Sequence, residues 1–253
     1  MHDQIYLVQP IFCPNDKGFE LQYNSIKSLF EFLEVSNIPF IKGVWGGWCK
    51  EEWMWEKLLD DFDINAIDYK RNYGKAYVVN DLVKRFVTNE KYILTYDSDI
   101  KFDVGELHLF DRLIAVADQI ENFGLLSLNQ KEHNCQLFNH YNKMLCINEE
   151  IMRWCDGGGG IAGGCLFIST AAWNKIGGYR VMGVYDSDDG FMMVDMHDRK
   201  FFAATIETIS VIHPWDEIKE GYSKWKSDIL HNRRLGKDAG YNEKLKDAED
   251  FWK

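Results

Sequence analysis

The sequence predicts an α/β protein with a mixed, mainly parallel central sheet flanked by helices. Two observations predict it. Short apolar runs alternate with amphipathic helical runs over the first hundred residues, the signature of parallel strands joined by crossover helices. The 253 residues are 46% hydrophobic, enough for one sizeable domain or two fused halves.

The elements follow in order. Ile5–Pro10 reads as a buried strand stopped by proline. Leu21–Glu34 is a helix with Leu21, Ile26, Leu29, Phe30 and Leu33 on its apolar face. Pro39–Trp45 is a second strand, ended by Gly46 and Gly47, and Glu51–Leu59 a short helix. Ala66–Tyr69 is a third strand, and Lys75–Val87 a helix apolar at Val78, Val79, Leu82, Val83 and Phe86. The next strand runs through Tyr92, Ile93 and Leu94 into Asp97-Ser98-Asp99. The second half is less regular. A helix is expected over Glu106–Ile120, a strand over Gly124–Leu128, and no clean period over 131–150. Six glycines among residues 157–164 make a loop, not a helix. The run CLFIS leaves that loop as a strand, Asp188–His197 is a helix, and Phe201–His213 holds one or two strands. The tail from Glu217 is polar and helix-prone.

Composition excludes some classes. A formal charge of −11 gives no global attraction for nucleic acid or anionic membrane. No run is apolar enough to span a bilayer, and the N-terminus lacks the pattern of a signal peptide. The six cysteines form no C-x-x-C pair and read as mostly reduced, buried thiols of a cytoplasmic protein. Fifteen per cent aromatic content, with nine tryptophans, suits either a heavy core or a stacking groove.

Four constellations carry chemistry. Asp97 and Asp99 close a buried strand, where carboxylates without a cation repel and are costly to desolvate. At i and i+2 they can converge on Mg²⁺ or Mn²⁺, though such pairs also occur in solvated turns. Asp186, Asp188 and Asp189 crowd the start of a helix. One of them suffices as an N-cap, which leaves room for a general base. His213 ends an apolar strand, as structural histidines do and as a metal ligand would. Arg71 and Lys75 flank Gly74 at a helix start, where a cation opposes the helix dipole unless an anion such as a phosphate joins it. A lysine simply exposed to solvent is the other reading.

In their order, these segments resemble the GT-A glycosyltransferases, chiefly the inverting family 2 and galactosyltransferase types. The likeness rests on NYGKAYVVN at 72–80, YILTYDSD at 92–99, GGCLFISTAAWNKIGGY at 163–179, YDSDDGF at 185–191 and the late His213. It covers roughly residues 3–215. It implies a Rossmann-like GT-A domain over 1–215, with a nucleotide-binding half at about 1–100 and an acceptor half at about 101–215, followed by a helical tail or lid over 216–253. The implied reaction moves a hexose from a nucleotide-diphosphate sugar, UDP-sugar first, to an acceptor hydroxyl with inversion. Asp99, Asp97 and His213 would hold Mn²⁺ or Mg²⁺, with Asp97 near the ribose. Asp189 would be the base and Asp188 would orient the acceptor. Lys75, Arg71, Gly163, Gly164 and the tail's Arg233 and Arg234 would face the donor. The family commonly has Glu-Asp where this chain has Asp188-Asp189. The acceptor stays open among a carbohydrate, a lipid-linked oligosaccharide at a membrane surface, a protein, a small molecule and a nucleic-acid base. The basic cluster from Lys224 to Lys237 fits a solvated helical face better than a nucleic-acid site. A nucleotidyltransferase is the rival enzyme, although IFCPNDKGF after Pro10 is not a basic, glycine-rich phosphate loop. A nucleotide-sugar-binding protein without catalysis is the non-enzyme rival.

Overall fold

The computed structural model describes residues 4–38, 41–131, 141–155, 163–181 and 188–214, the side chain of Asp188 excepted. Within these residues the chain runs β1 (Ile5–Cys13), α1 (Asp16–Val35), β2 (Lys42–Cys49), α2 (Glu52–Asp61), β3 (Ala66–Asp68), α3 (Lys75–Phe86) and β4 (Tyr92–Tyr96). It continues through α4 (Leu109–Ala117), β5 (Phe123–Gln130), β6 (Lys143–Ile147), β7 (Glu150–Trp154), β8 (Cys165–Ser169), α5 (Thr170–Ile176), α6 (Asp188–Asp198) and β9 (Phe202–Val211).

The described strands form one sheet in the order β3-β2-β1-β4-β8-β5-β9-β7-β6. The α/β class is the one expected, and parallel pairing holds throughout β3-β2-β1-β4. Beyond β4 the balance changes. β8 runs antiparallel to both neighbours, β5 and β9 are parallel, and β7 pairs antiparallel with β9 and β6. The sheet is thus mixed, with its parallel character confined mostly to the first half.

Side chains alternate across the sheet. Ile5, Leu7 and Leu94 join Ile26, Leu29 and Phe110 on the face covered by α1, α2 and α4. Tyr6, Val8 and Ile93 join Val79, Leu82, Trp173 and Met192 on the face covered by α3, α5 and α6. The three layers leave the carboxyl ends of β1, β2 and β4 at one edge, where open α/β sheets collect ligands.

Several boundaries differ from expectation for local reasons. β1 continues through Pro10 because its pairing with β4 covers only Ile5–Val8, so the missing N–H leaves no ladder broken on that side. β2 continues through Gly46 and Gly47, since strands this close need glycine: a Cβ on Gly47 would stand 1.9 Å from the Ile11 carbonyl oxygen. α1 starts earlier than its apolar face, because the Asn15 side chain accepts from the Gly18 amide at 2.8 Å and caps it. α4 begins three residues later than expected, at Leu109. The aperiodic stretch 131–150 contains β6 and the start of a hairpin. Its two-residue turn, Asn148-Glu149, has both φ angles positive (51° and 69°), a primed turn that glutamate does not signal. α5 was not expected; Ser169 caps it by accepting from Ala172 N at 3.4 Å. Of the cysteines, Cys13 and Cys165 are buried but Cys146 is exposed, and the described cysteines are free thiols. No described helix is long and apolar enough to cross a membrane.

Candidate active site

Lys75 is the first residue of α3, after Gly74. The preceding turn is fixed by Asn72, whose side-chain oxygen accepts from the Gly74 amide at 2.9 Å. Gly74 has φ of 84°, in the left-handed region that glycine enters without strain. The expected conflict between Lys75 and the helix dipole is relieved by carboxylates. Lys75 Nζ lies 2.8 Å from Asp97 Oδ1 and 3.0 Å from Asp189 Oδ1, and donates to the Gly163 carbonyl at 3.2 Å. Burial works against the lysine's charge, but Asp189 and Asp97 outweigh it and hold its pKa well above the ordinary value. The ammonium also stands 5.6 Å from the centre of the Tyr179 ring.

Four segments far apart in sequence therefore meet at one ammonium group: the start of α3, the end of β4, the glycine turn before β8 and the start of α6. Gly163 is small because Asp189 needs the space. A Cβ there would come within 1.6 Å of Asp189 Oδ2. Gly164 is equally confined, its carbonyl accepting from the Asp97 amide at 2.8 Å. An added Cβ would meet Gln130 Nε2 at 2.5 Å.

One further motif residue acts as scaffold. Asn80 on α3 clamps the backbone of Tyr179, donating to its carbonyl at 2.8 Å and accepting from its amide at 2.9 Å. The two motifs at 72–80 and 163–179 are thus joined directly. Asn80 and Tyr179 both lie inside those motifs, but neither carries a local pattern that signals this contact.

Asp99 goes elsewhere. It is 2% exposed, and its Oδ2 lies 3.6 Å from His213 Nε2. Paired backbone hydrogen bonds between Lys101 and Ile212, both 2.9 Å, bring the two together. Asp99 Oδ1 is buried with no hydrogen-bond partner among the described residues. A buried carboxylate oxygen left in this way is costly unless a cation joins it. The expected trio of Asp97, Asp99 and His213 is divided: Asp97 faces Lys75, and Asp99 faces His213. Among the described residues no cluster of three metal-capable side chains forms. Arg71 is exposed, its guanidinium 5.1 Å from the centre of the Tyr73 ring. Asp186, the side chain of Asp188, most of the glycine run, Arg233, Arg234 and the whole tail beyond Pro214 lie outside the described residues.

No protein-family model matches the sequence, and no curated protein matches it. Solved structures do. S. aureus TarS in complex with UDP-GlcNAc superposes with a TM-score of 0.55 at 11% identity, over 82% of this chain and 57% of TarS 1-349. GalNAc-T7 with UDP, GalNAc and Mn²⁺ gives 0.58 at 9% identity, over 83% of this chain and 43% of that one. The chain thus spans about half the length of these two structures. A 4-diphosphocytidyl-2C-methyl-D-erythritol synthase from Anaerococcus prevotii gives 0.50 at 11% identity, over 89% of this chain and all of that one. At such identities the likeness is one of fold. The chain has the GT-A fold that the order of its motifs implies.

Proposed function

We propose that the protein is an inverting glycosyltransferase that moves a hexose from a nucleotide-diphosphate sugar, UDP-sugar first, to an acceptor hydroxyl. The observation that carries the reading is the Lys75 ammonium, shared by Asp97 at the end of β4 and Asp189 at the start of α6. On a GT-A sheet this joins the donor end to the acceptor side. Lys75 is a cation at the mouth of a helix, suited to a diphosphate that competes for it.

Asp189 acts as general base. The acceptor oxygen attacks the anomeric carbon, its proton passes to an Asp189 oxygen, and the bond to the diphosphate breaks with its electron pair leaving on phosphate oxygen. A base on the face opposite the leaving group gives inversion. Gly163, by its lack of a side chain, leaves the Asp189 carboxylate its place. Asp188 orients the acceptor, and Arg71, Arg233 and Arg234 supply further donors to phosphate. The buried Asp99 oxygen, beside an imidazole, fits a hard divalent cation such as Mn²⁺ or Mg²⁺. Asp99 and His213 would hold it, with Asp97 near the ribose, and the ion would supply positive charge for the leaving diphosphate.

A second reading, nucleotidyl transfer, is favoured by the likeness to the Anaerococcus synthase over its whole length. One panel separates the two. Melting is followed with UDP-, GDP- and dTDP-sugars and with CTP, each with and without Mn²⁺, because a ligand of the folded state raises the midpoint. Glycosyl transfer expects a metal-dependent rise with one nucleotide sugar and release of the nucleoside diphosphate. A rise with CTP alone and release of pyrophosphate would replace the proposal with the second reading. Asp99→Ala removes the metal-dependent part of the rise if the metal assignment is right.

A further inference from the structure

The turn from Asp97 to Phe102 follows β4 and carries Asp97 and Asp99, and its backbone is gripped from beneath by polar side chains that no motif contains. Gln9 lies in the middle of β1 and Ser25 in the middle of α1, and both are fully buried. Gln9 Nε2 donates to Ser25 Oγ at 2.8 Å and to the Asp97 carbonyl at 3.3 Å. Ser25 Oγ in turn donates to the Ile100 carbonyl. One helical turn along, Ser28 Oγ accepts from the Phe102 amide at 3.0 Å and donates to the Ser25 carbonyl at 2.8 Å. Three polar side chains thus reach both ends and the middle of the acidic turn.

Packing does not explain them. Gln9 is set among Ile5, Leu7, Val8 and Ile11, all buried and apolar, where an apolar residue would fill the space without desolvating an amide. Its Oε1 has no hydrogen-bond partner among the described residues, so the amide carries a cost that core formation alone would remove. Ser25 and Ser28 are i and i+3 on one face of α1, the spacing that lets both meet one extended segment. Asp99 itself gains from this: a buried carboxylate with a free oxygen holds its place only if its backbone is held.

We infer that Gln9, Ser25 and Ser28 are positioning residues, a brace from β1 and α1 that fixes the Asp97–Phe102 turn so that Asp97 and Asp99 are preorganised for the donor diphosphate and its cation. The inference deepens the glycosyltransferase reading and rests on it for the identity of what the turn binds. Preorganisation of this kind acts through other groups, and a small misplacement of a binding carboxylate is enough to weaken a site.

The test uses Ser25→Ala, Ser28→Ala and Gln9→Met in the full chain, with two readouts. The first is amide hydrogen exchange without ligand. The brace expects the amides of Ile100, Lys101 and Phe102 to exchange about tenfold faster, with those of β1, β4 and β8 unchanged, as for the loss of one hydrogen bond. The second is calorimetric affinity for UDP with Mn²⁺, expected to weaken about tenfold while the melting point moves little. Unchanged exchange at residues 100–102 overturns the brace, as does acceleration spread over the whole of α1 and the sheet. Faster local exchange with unaltered UDP–Mn²⁺ affinity overturns the positioning role. If the unsubstituted protein binds no UDP with Mn²⁺, it is the donor reading that fails, and the exchange result still decides whether the turn is braced. The two serine variants keep the test decisive if Gln9→Met does not fold.

Discussion

Replacing Lys75 with methionine removes the cation shared by two carboxylates and leaves them facing each other. At the observed 2.8 and 3.0 Å, Coulomb's law with an effective dielectric of about 20 gives roughly 5–6 kcal/mol of attraction per pair before desolvation. Desolvation offsets most of this, and deleting one partner of a buried pair costs about 3–5 kcal/mol. The Lys75 side chain is 20% exposed and each aspartate 27%, so water screens part of the damage. The low end, about 3 kcal/mol, is expected, which for a chain of this length lowers the melting point by roughly 6–12 °C. The penalty has an internal check. Asp189→Asn in the Lys75→Met background discharges one of the abandoned carboxylates and should recover about 1–2 kcal/mol of coupling. Urea denaturation of the two single variants and the double variant measures it. Lys75→Met within 1 kcal/mol of the parent protein, with Asp189→Asn purely additive, would refute the shared ammonium as the link between β4 and α6.

Asp189→Asn alone should retain UDP affinity but lose about 10²–10⁴ in transfer rate, measured as nucleoside diphosphate release with acceptor present. Full turnover would move the base to another group. Gly163→Ala should imitate it, because the new methyl would overlap the Asp189 carboxylate and drive it off Lys75; an unimpaired alanine variant would show that Asp189 works from another position. Acid stability offers a test away from the site. Glu90 is 5% exposed; burial raises its pKa, but Lys42 at 2.6 Å and the amides of Thr88 and Asn89 prevail and hold it below the ordinary carboxylate range. Its contribution is therefore present above about pH 4.3, the unfolded value, and lost as pH falls through the folded one. Glu90→Gln should destabilise the protein at pH 7 and converge on the parent below that window, as followed by urea midpoints. A pH-independent difference would mean that the charge of Glu90 contributes nothing.

The sequence by itself determined the alternating first half. β4, α3 and the residues that close on Lys75 were legible because a buried strand, an amphipathic helix and a run of carboxylates each leave a local pattern. Asp97 could be singled out because it ends an apolar run, and Asp189 because three aspartates crowd a helix start that needs only one as a cap. The hairpin of β6 and β7 left no such trace, since its turn uses Asn148-Glu149 and its edge strand is mostly exposed. The short helix α5 was too brief for periodicity to register. Tertiary structure alone decided the antiparallel insertion of β8 between β4 and β5, and with it the approach of Gly163 to Asp189. It also decided which partner each carboxylate meets. Asp97 and Asp99 are two residues apart and read as one motif, yet the first faces Lys75 and the second His213. Neither partner is close in sequence, and each is delivered by a separate element: Lys75 by the mouth of α3, and His213 by the backbone pairing of Ile212 with Lys101. Spacing along a chain states what chemistry is available. Which groups share it depends on long-range packing.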